Sequence, residues 1–263
     1  MPQSTTKTAL KSLTEWWEDM GVEADSAFMR ALTKSPASKG KPPKQASNIT
    51  RPSSRRAKKS IEDWVQVATE SAAGANTLDE LKAAIEAYEG SPLKAGANKT
   101  AVFDGTQGAS VMVIGEGPGG QEDRTGLPFV GKAGQLLDKI LAAIELDRKT
   151  NCFISNVNYW RPPANRNPDT DELAVCRPFV DRMVELAQPK ILIATGGVAA
   201  KALLATKTGI MKLRGSEHSF SAGTHECLLV PIFHPAYLLR RPEDKSRTWR
   251  DLLLVKQRLE AMG

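Results

Sequence analysis

Cysteine is scarce in this 263-residue chain: Cys152, Cys176 and Cys227 are scattered and do not make a disulfide framework. No apolar run approaches the ~20 residues of a membrane span, and the first thirty residues lack the apolar core of a signal peptide. These absences exclude a disulfide-stapled secreted domain and imply a cytoplasmic chain with no membrane partner. Acidic residues are missing altogether from residues 34–60, which are rich in Pro, Ser, Lys and Arg and show no apolar periodicity. That composition is a flexible basic linker. Its charge either merely solvates the tether or holds a polyanion such as DNA loosely through phosphates. Arg55, Arg56, Lys58 and Lys59 would then be the strongest contacts.

What is present points the same way. A net charge of +6 and a pI near 9.2 suit a polyanionic partner. The length allows one domain of about 150–200 residues plus an appendage. Residues 1–33 form the appendage, a helical segment with Leu10, Leu13, Trp16, Trp17 and Met20 at helical spacing and Glu15, Glu18 and Asp19 opposite. It either docks on its own body or binds a protein partner. Residues 61–263 form the main domain, and a monomer is expected.

That domain is organised around the stretch from Ser110 to Asp138. Val111–Ile114 is an apolar run of buried-strand length, followed by Gly115-Glu116-Gly117-Pro118-Gly119-Gly120. Four glycines in six residues imply positive φ or a close approach to the backbone. Glu122 and Asp123 follow, then Gly126-Leu127-Pro128 delivers Phe129, and a helix is expected from about Ala133. Gly115, Gly117 and Gly120 fit a G-x-G-x-x-G phosphate loop. However, carboxylates stand where the helix should meet a phosphate, and a Walker Gly-Lys-Ser/Thr is missing. A pocket for a flat ring fits better.

Further strands are expected at Cys152–Val157, Lys190–Ala194 and Leu228–Phe233, alternating with helices. The pattern predicts an α/β fold, a three-layer αβα sandwich around a central four-stranded, mainly parallel sheet. Ligands in such sheets bind beyond the carboxyl ends of the strands. Glu116–Phe129, Asn156, Gly196-Gly197 and His234 lie there. An aromatic, an amide, an imidazole, carboxylates and backbone donors make a reader for a planar, amide-rich ring.

These motifs resemble family 4 uracil-DNA glycosylases from about Leu78 onward. Gly115–Asp123, Gly126–Gly134, Asn156 with Arg161–Arg166, and His234–Arg240 match four ordered family patterns. The resemblance implies a glycosylase domain over residues 61–263 that flips uracil out of DNA and hydrolyses its N-glycosidic bond, leaving abasic DNA. It implies that Phe129 stacks on the base, Asn156 reads N3–H and O4, and His234 donates to O2 as charge develops. Glu122 would crowd the C5 edge, with Gly117 beside the base. Leu238 would be the wedge, and Arg161, Arg166, Arg240 and Arg241 would lie near DNA. Glu116 is a candidate for the water, though the residue that activates it stays open. A non-catalytic uracil or abasic-DNA binder, or a glycosylase for hypoxanthine, are the alternatives.

The family usually carries a four-cysteine iron–sulfur cluster. At its positions this chain has Tyr88, Ser91 and Trp160, with only Cys176 retained. One thiolate cannot replace four, so no cofactor and no metal are expected, with Tyr88 and Trp160 packing in the space. A related subfamily's covalent His in a basic insert has no counterpart between Gly209 and Gly215.

Overall fold

A computed structural model describes residues 59–262. The N-terminal helical segment and all of the basic linker except Lys59 and Ser60 lie outside the described residues. In order, the elements are α1 (Ile61–Ala73), α2 (Leu78–Ala87), β1 (Phe103–Gly105), β2 (Val111–Gly115), α3 (Gly120–Thr125) and α4 (Lys132–Ala142). Then come β3 (Cys152–Asn156), α5 (Thr170–Ala187), β4 (Ile191–Thr195), α6 (Gly196–Leu204) and α7 (Ile210–Leu213). β5 (His218–Ala222), β6 (His225–Ile232), α8 (Pro235–Arg240) and α9 (Lys245–Ala261) complete the domain.

Local chemistry sets the helix starts. Ser60 Oγ accepts from Asp63 N at 3.2 Å while the Asp63 carboxylate accepts from Ser60 N at 2.8 Å, a closed capping box on α1. On α2, Thr77 Oγ1 accepts from Glu80 N, but Glu80 reaches back to Asn76 N, one residue earlier than a capping box requires.

The sheet order is β1-β3-β2-β4-β6-β5. The central strands β3, β2, β4 and β6 are parallel neighbours, as the apolar runs predict. The expected four-stranded sheet is nevertheless corrected to a six-stranded mixed one, because β1 and β5 add antiparallel edges. Neither edge has the apolar signal of a central strand. β1 is three half-buried residues, and β5 buries only Phe220 and Ala222 before a turn at Gly223 (φ +57°).

The central strands, buried throughout in β2, β3 and β4 and over Leu229–Ile232 in β6, present alternate residues to two cores. Met112 and Ile114 join Phe153 and Leu192 under α1, α2, α5 and α6. Val111 and Val113 join Ile154 and Ile193 under α4 and α9. Each such aliphatic side chain contributes about 1.5–3 kcal/mol by leaving water. The result is an α/β sandwich with helices on both faces. Its parallel strands share one carboxyl edge, where Gly115 pairs with Asn156.

Candidate active site

At that edge a cleft of about 440 Å³ is lined by Glu116, Gly117, Glu122, Phe129, His234 and Arg240, together with the Pro162 to Pro168 loop and Tyr237. The glycines in its wall are needed for space, since none of Gly115, Gly117, Gly119 or Gly120 has positive φ. A Cβ at Gly115 would overlap the Phe129 ring and sit 2.5 Å from Asn156 Oδ1. At Gly117 it would crowd Asn158 Nδ2 at 3.0 Å. The short helix α3 begins directly at Gly120, where the sequence suggested no helix. Its first turn buries Glu122 and Asp123 rather than offering free amides to a phosphate.

Glu122 and Arg148 hold Phe129 from two sides. Glu122 Oε1 accepts from Val130 N at 2.9 Å and Gly131 N at 2.8 Å, and Oε2 accepts from Gly119 N at 3.1 Å. The carboxylate thereby ties the glycine loop to the Phe129 turn. Arg148 Nη2 donates to the Phe129 carbonyl at 2.8 Å and Nη1 to the Pro128 carbonyl at 3.2 Å. Asp104 on β1 and Asp138 on α4 anchor the same guanidinium, at 2.9 Å and 2.8 Å. Phe129 needs this clamp because its φ is +54°, a conformation that costs a non-glycine residue about 1–2 kcal/mol. Gly134 lets α4 pass against the Phe129 backbone, where any Cβ would collide. Sequence reasoning missed Arg148, which lies in a loop and whose partners are far away in the chain.

Asn156, at the end of β3, is 2 % exposed, and neither Nδ2 nor Oδ1 has a hydrogen-bond partner among the described residues. An amide buried without partners costs about 1–3 kcal/mol per group, so the site carries an unmet donor and an unmet acceptor side by side. It lies behind the cleft lining, next to Gly115 and Phe129.

His234 caps α8. Its Nδ1 accepts from Ala236 N at 3.1 Å, which leaves the proton of the neutral ring on Nε2. Burial, helped by the nearby Arg240 charge and opposed by Glu122, pulls its pKa down to about 4. The ring is therefore a neutral donor at physiological pH. It stacks on Phe129 at 5.8 Å and 29°. Gly196, at φ +90°, admits it, since a Cβ there would lie 2.9 Å from His234 Cβ. Glu116 lines the cleft without a hydrogen-bond or ion-pair partner among the described residues, and burial raises its carboxyl above the ordinary range.

The residues expected near DNA are placed unevenly. Leu238, on the inward face of α8, is 1 % exposed, so in this structure its side chain is not presented to a base stack. Its neighbour Leu239 is 45 % exposed. Arg240 lines the cleft without an ion pair among the described residues, whereas Arg241 pairs with Glu243 at 2.5 Å. Arg166 forms a two-pronged pair with the buried Glu172, at 2.7 Å and 2.5 Å. Arg161 donates to Asn165 Oδ1 at 2.8 Å and lies 3.9 Å from the buried Asp123, bracing its loop.

The residues at the family's cluster positions do not fit an iron–sulfur centre. Tyr88 packs 6.4 Å from Trp160 and 5.1 Å from Phe179, ring to ring, and donates from its hydroxyl to the Trp64 carbonyl at 2.8 Å. Trp160 Nε1 donates to Thr100 Oγ1 at 3.0 Å. Cys176 is buried, its thiol pushed up to about 12, with Sγ 3.9 Å from Asn158 Oδ1. A protonated thiol among aromatic rings is packing, not a ligand set.

With a ring-sized cleft at the strand ends, an unpartnered amide and a neutral imidazole in place, the class is defined. The chain belongs to the uracil DNA glycosylase superfamily, whose family model matches residues 103–253. Within it, the chain is similar to Type-4 uracil-DNA glycosylases. That of Thermotoga maritima is 36% identical over 157 residues, covering 59% of this chain and 80% of the relative. That of Sulfurisphaera tokodaii is 33% identical over 165 residues, 59% of this chain and 75% of the relative. That of Pyrobaculum aerophilum is 36% identical over 157 residues, 57% of this chain and 79% of the relative. Among the described residues, no helix is long and apolar enough to cross a membrane.

Proposed function

We propose that the cleft takes a uracil flipped out of DNA and that the protein hydrolyses its N-glycosidic bond, leaving an abasic site for base excision repair. The observation that carries this reading is the Asn156 amide, buried with both its donor and its acceptor unmet. Uracil offers the complementary N3–H and O4 edge. Cytosine presents the reverse pattern and leaves two buried groups unpaired.

Extrusion costs a few kcal/mol of stacking and pairing. A base cannot slip between Phe129 and His234 at 5.8 Å, since a third ring needs about 7 Å, two van der Waals spacings. Entry therefore parts these rings, leaving Phe129 to stack on one face of the base. As C1′–N1 breaks, the bonding pair leaves with the base and spreads onto O2. The His234 Nε2–H donates to that oxygen, and being neutral it stabilises the anion without first binding a proton. Water adds to C1′ of the cationic sugar. Glu116 is assigned to this water, since an unpaired carboxylate with a raised pKa can accept its proton and favours a nearby cation. Glu122 acts by holding the Phe129 turn at the C5 edge of the base. Leu239, exposed beside the buried Leu238, takes the wedge role that the resemblance implied for Leu238, and Arg240 faces the phosphates. No step uses a cluster.

The test is incubation of the full-length protein with oligonucleotides containing uracil or hypoxanthine, followed by alkaline strand scission. Breaks at uracil support the reading. Tight binding with intact strands would make the protein a reader rather than an enzyme, and breaks at hypoxanthine alone would reject uracil as substrate.

A further inference from the structure

A second depression, of about 280 Å³, lies beside the cleft, between α4 and α9 with Leu238 on its lining. The two hollows share walls. On α8, Ala236 and Arg240 line the cleft and Leu238 the groove. On α4, Ala133 lines the cleft and Leu136 the groove, about 4.5 Å further along the axis.

The groove is apolar along its length but cationic at its rim. Trp249 on its wall is 43 % exposed, and an indole left in water needs a reason. Lys139 and Lys245 line it too, and neither has an acidic partner among the described residues. Farther along α9, Lys256 is neutralised at 2.6 Å by Glu145, in the turn that follows α4, so Lys139 and Lys245 lie on the cleft side of that pair. Thr248, also on the lining, keeps a buried hydroxyl with no partner among the described residues.

We propose that this groove binds the DNA strand flanking the flipped nucleotide, with a neighbouring base stacked on Trp249 and its phosphates on Lys139 and Lys245. The proposal rests on the uracil-excision reading. A flat aromatic face between unpaired cations matches the two repeating chemistries of a nucleic acid strand, the ring and the phosphate. Continuity with the cleft decides between DNA and an acidic protein helix, because a strand whose nucleotide enters the cleft must leave along one of its walls.

The experiment uses the full chain and single-stranded uracil-containing oligonucleotides under single-turnover conditions. Trp249→Ala should raise the protein concentration giving half-maximal rate about 5- to 10-fold, with Trp249→Phe recovering most of it. The rate at saturation should stay within about twofold. Lys139→Ala with Lys245→Ala should flatten the log–log salt dependence of binding by roughly 0.7 for each lost phosphate contact. Abasic spacers placed singly on either side of the uracil locate the stacked base: at one position the spacer weakens binding to the wild type and adds nothing in Trp249→Ala. Unchanged affinity and salt slope in the variants, with uracil still excised, would overturn the groove assignment alone. A wild type that leaves uracil in place would overturn the reading beneath it.

Discussion

Arg148 fixes the backbone of Phe129: its Nη2 donates to the Phe129 carbonyl at 2.8 Å while Asp104 and Asp138 hold the guanidinium. The aromatic ring that lines the cleft is thus positioned by a residue that does not line it.

Replacing Arg148 with Gln removes this clamp and leaves Phe129 free to abandon its left-handed conformation. We expect about 2–4 kcal/mol less stability in urea unfolding, since two carboxylates lose their cation. The KM for uracil-containing DNA should rise about tenfold, more than kcat falls, because ground-state stacking is what is lost. An unchanged KM with the same loss of stability would make Arg148 a brace for the fold only.

The pH profile separates His234 from Glu116. His234 titrates at about 4 against an ordinary 6.5, so its neutral form persists and no fall in rate should occur near pH 6.5. Glu116 is raised above 4.5, so an acid limb above the ordinary carboxylate value should belong to it and vanish in Glu116→Gln. Stability has its own sign. Between pH 6.5 and about 4 the unfolded chain binds a proton at His234 that the folded chain does not, so stability falls as pH falls through that window. His234→Asn should flatten that slope and lower the single-turnover rate about 10²–10³-fold. A bell centred on pH 6.5 that follows His234 would contradict the neutral donor.

Leu238 and Leu239 give opposite outcomes. Leu238→Ala removes a core side chain and should cost about 2–4 kcal/mol of stability. Leu239→Ala, at an exposed site, should leave stability within about 0.5 kcal/mol but slow excision from duplex DNA more than from single strands. Equal slowing on both substrates would remove the wedge role from Leu239.

The Tyr88–Trp160–Phe179 packing predicts a colourless protein. Anaerobic purification followed by iron and sulfide assay should find neither in stoichiometric amount. Finding both would contradict the account of these positions.

How far the sequence exposed all this follows from where each signal lies. The four parallel strands are built on apolar runs, buried throughout in β2, β3 and β4 and over the last four residues of β6, and such runs are conspicuous. The edge strands are not: β5 alternates His, Ser, Phe, Ser and Ala, a pattern shared with many loops. Glu116, Glu122, Phe129 and His234 share one cleft because strand ends share one edge, which alternation alone predicts, with Asn156 directly behind its lining. The phase of α8 was not legible, because six residues are too few for periodicity to decide which of Leu238 and Leu239 points inward. Arg148 was invisible for a different reason: its partners lie 10 to 44 residues away and meet only in the folded chain.

The buried Asn156 amide is expected to weaken the fold it sits in. Asn156→Leu should abolish excision yet raise stability by roughly 1 kcal/mol, since two unmet polar groups leave the interior. A destabilised variant would mean that the amide is satisfied in solution by something other than a base.

The most direct test of the account is the single-turnover rate of wild type and Asn156→Asp on oligonucleotides identical except for uracil or cytosine at one position. The account predicts wild-type breaks at uracil alone, with the variant's rate on uracil reduced at least about 10²-fold, the scale of losing an essential buried contact. It also allows some gain on cytosine, whose edge a rotated or protonated carboxyl can meet. Unchanged uracil turnover in Asn156→Asp would contradict it, because the base would then be read by another residue.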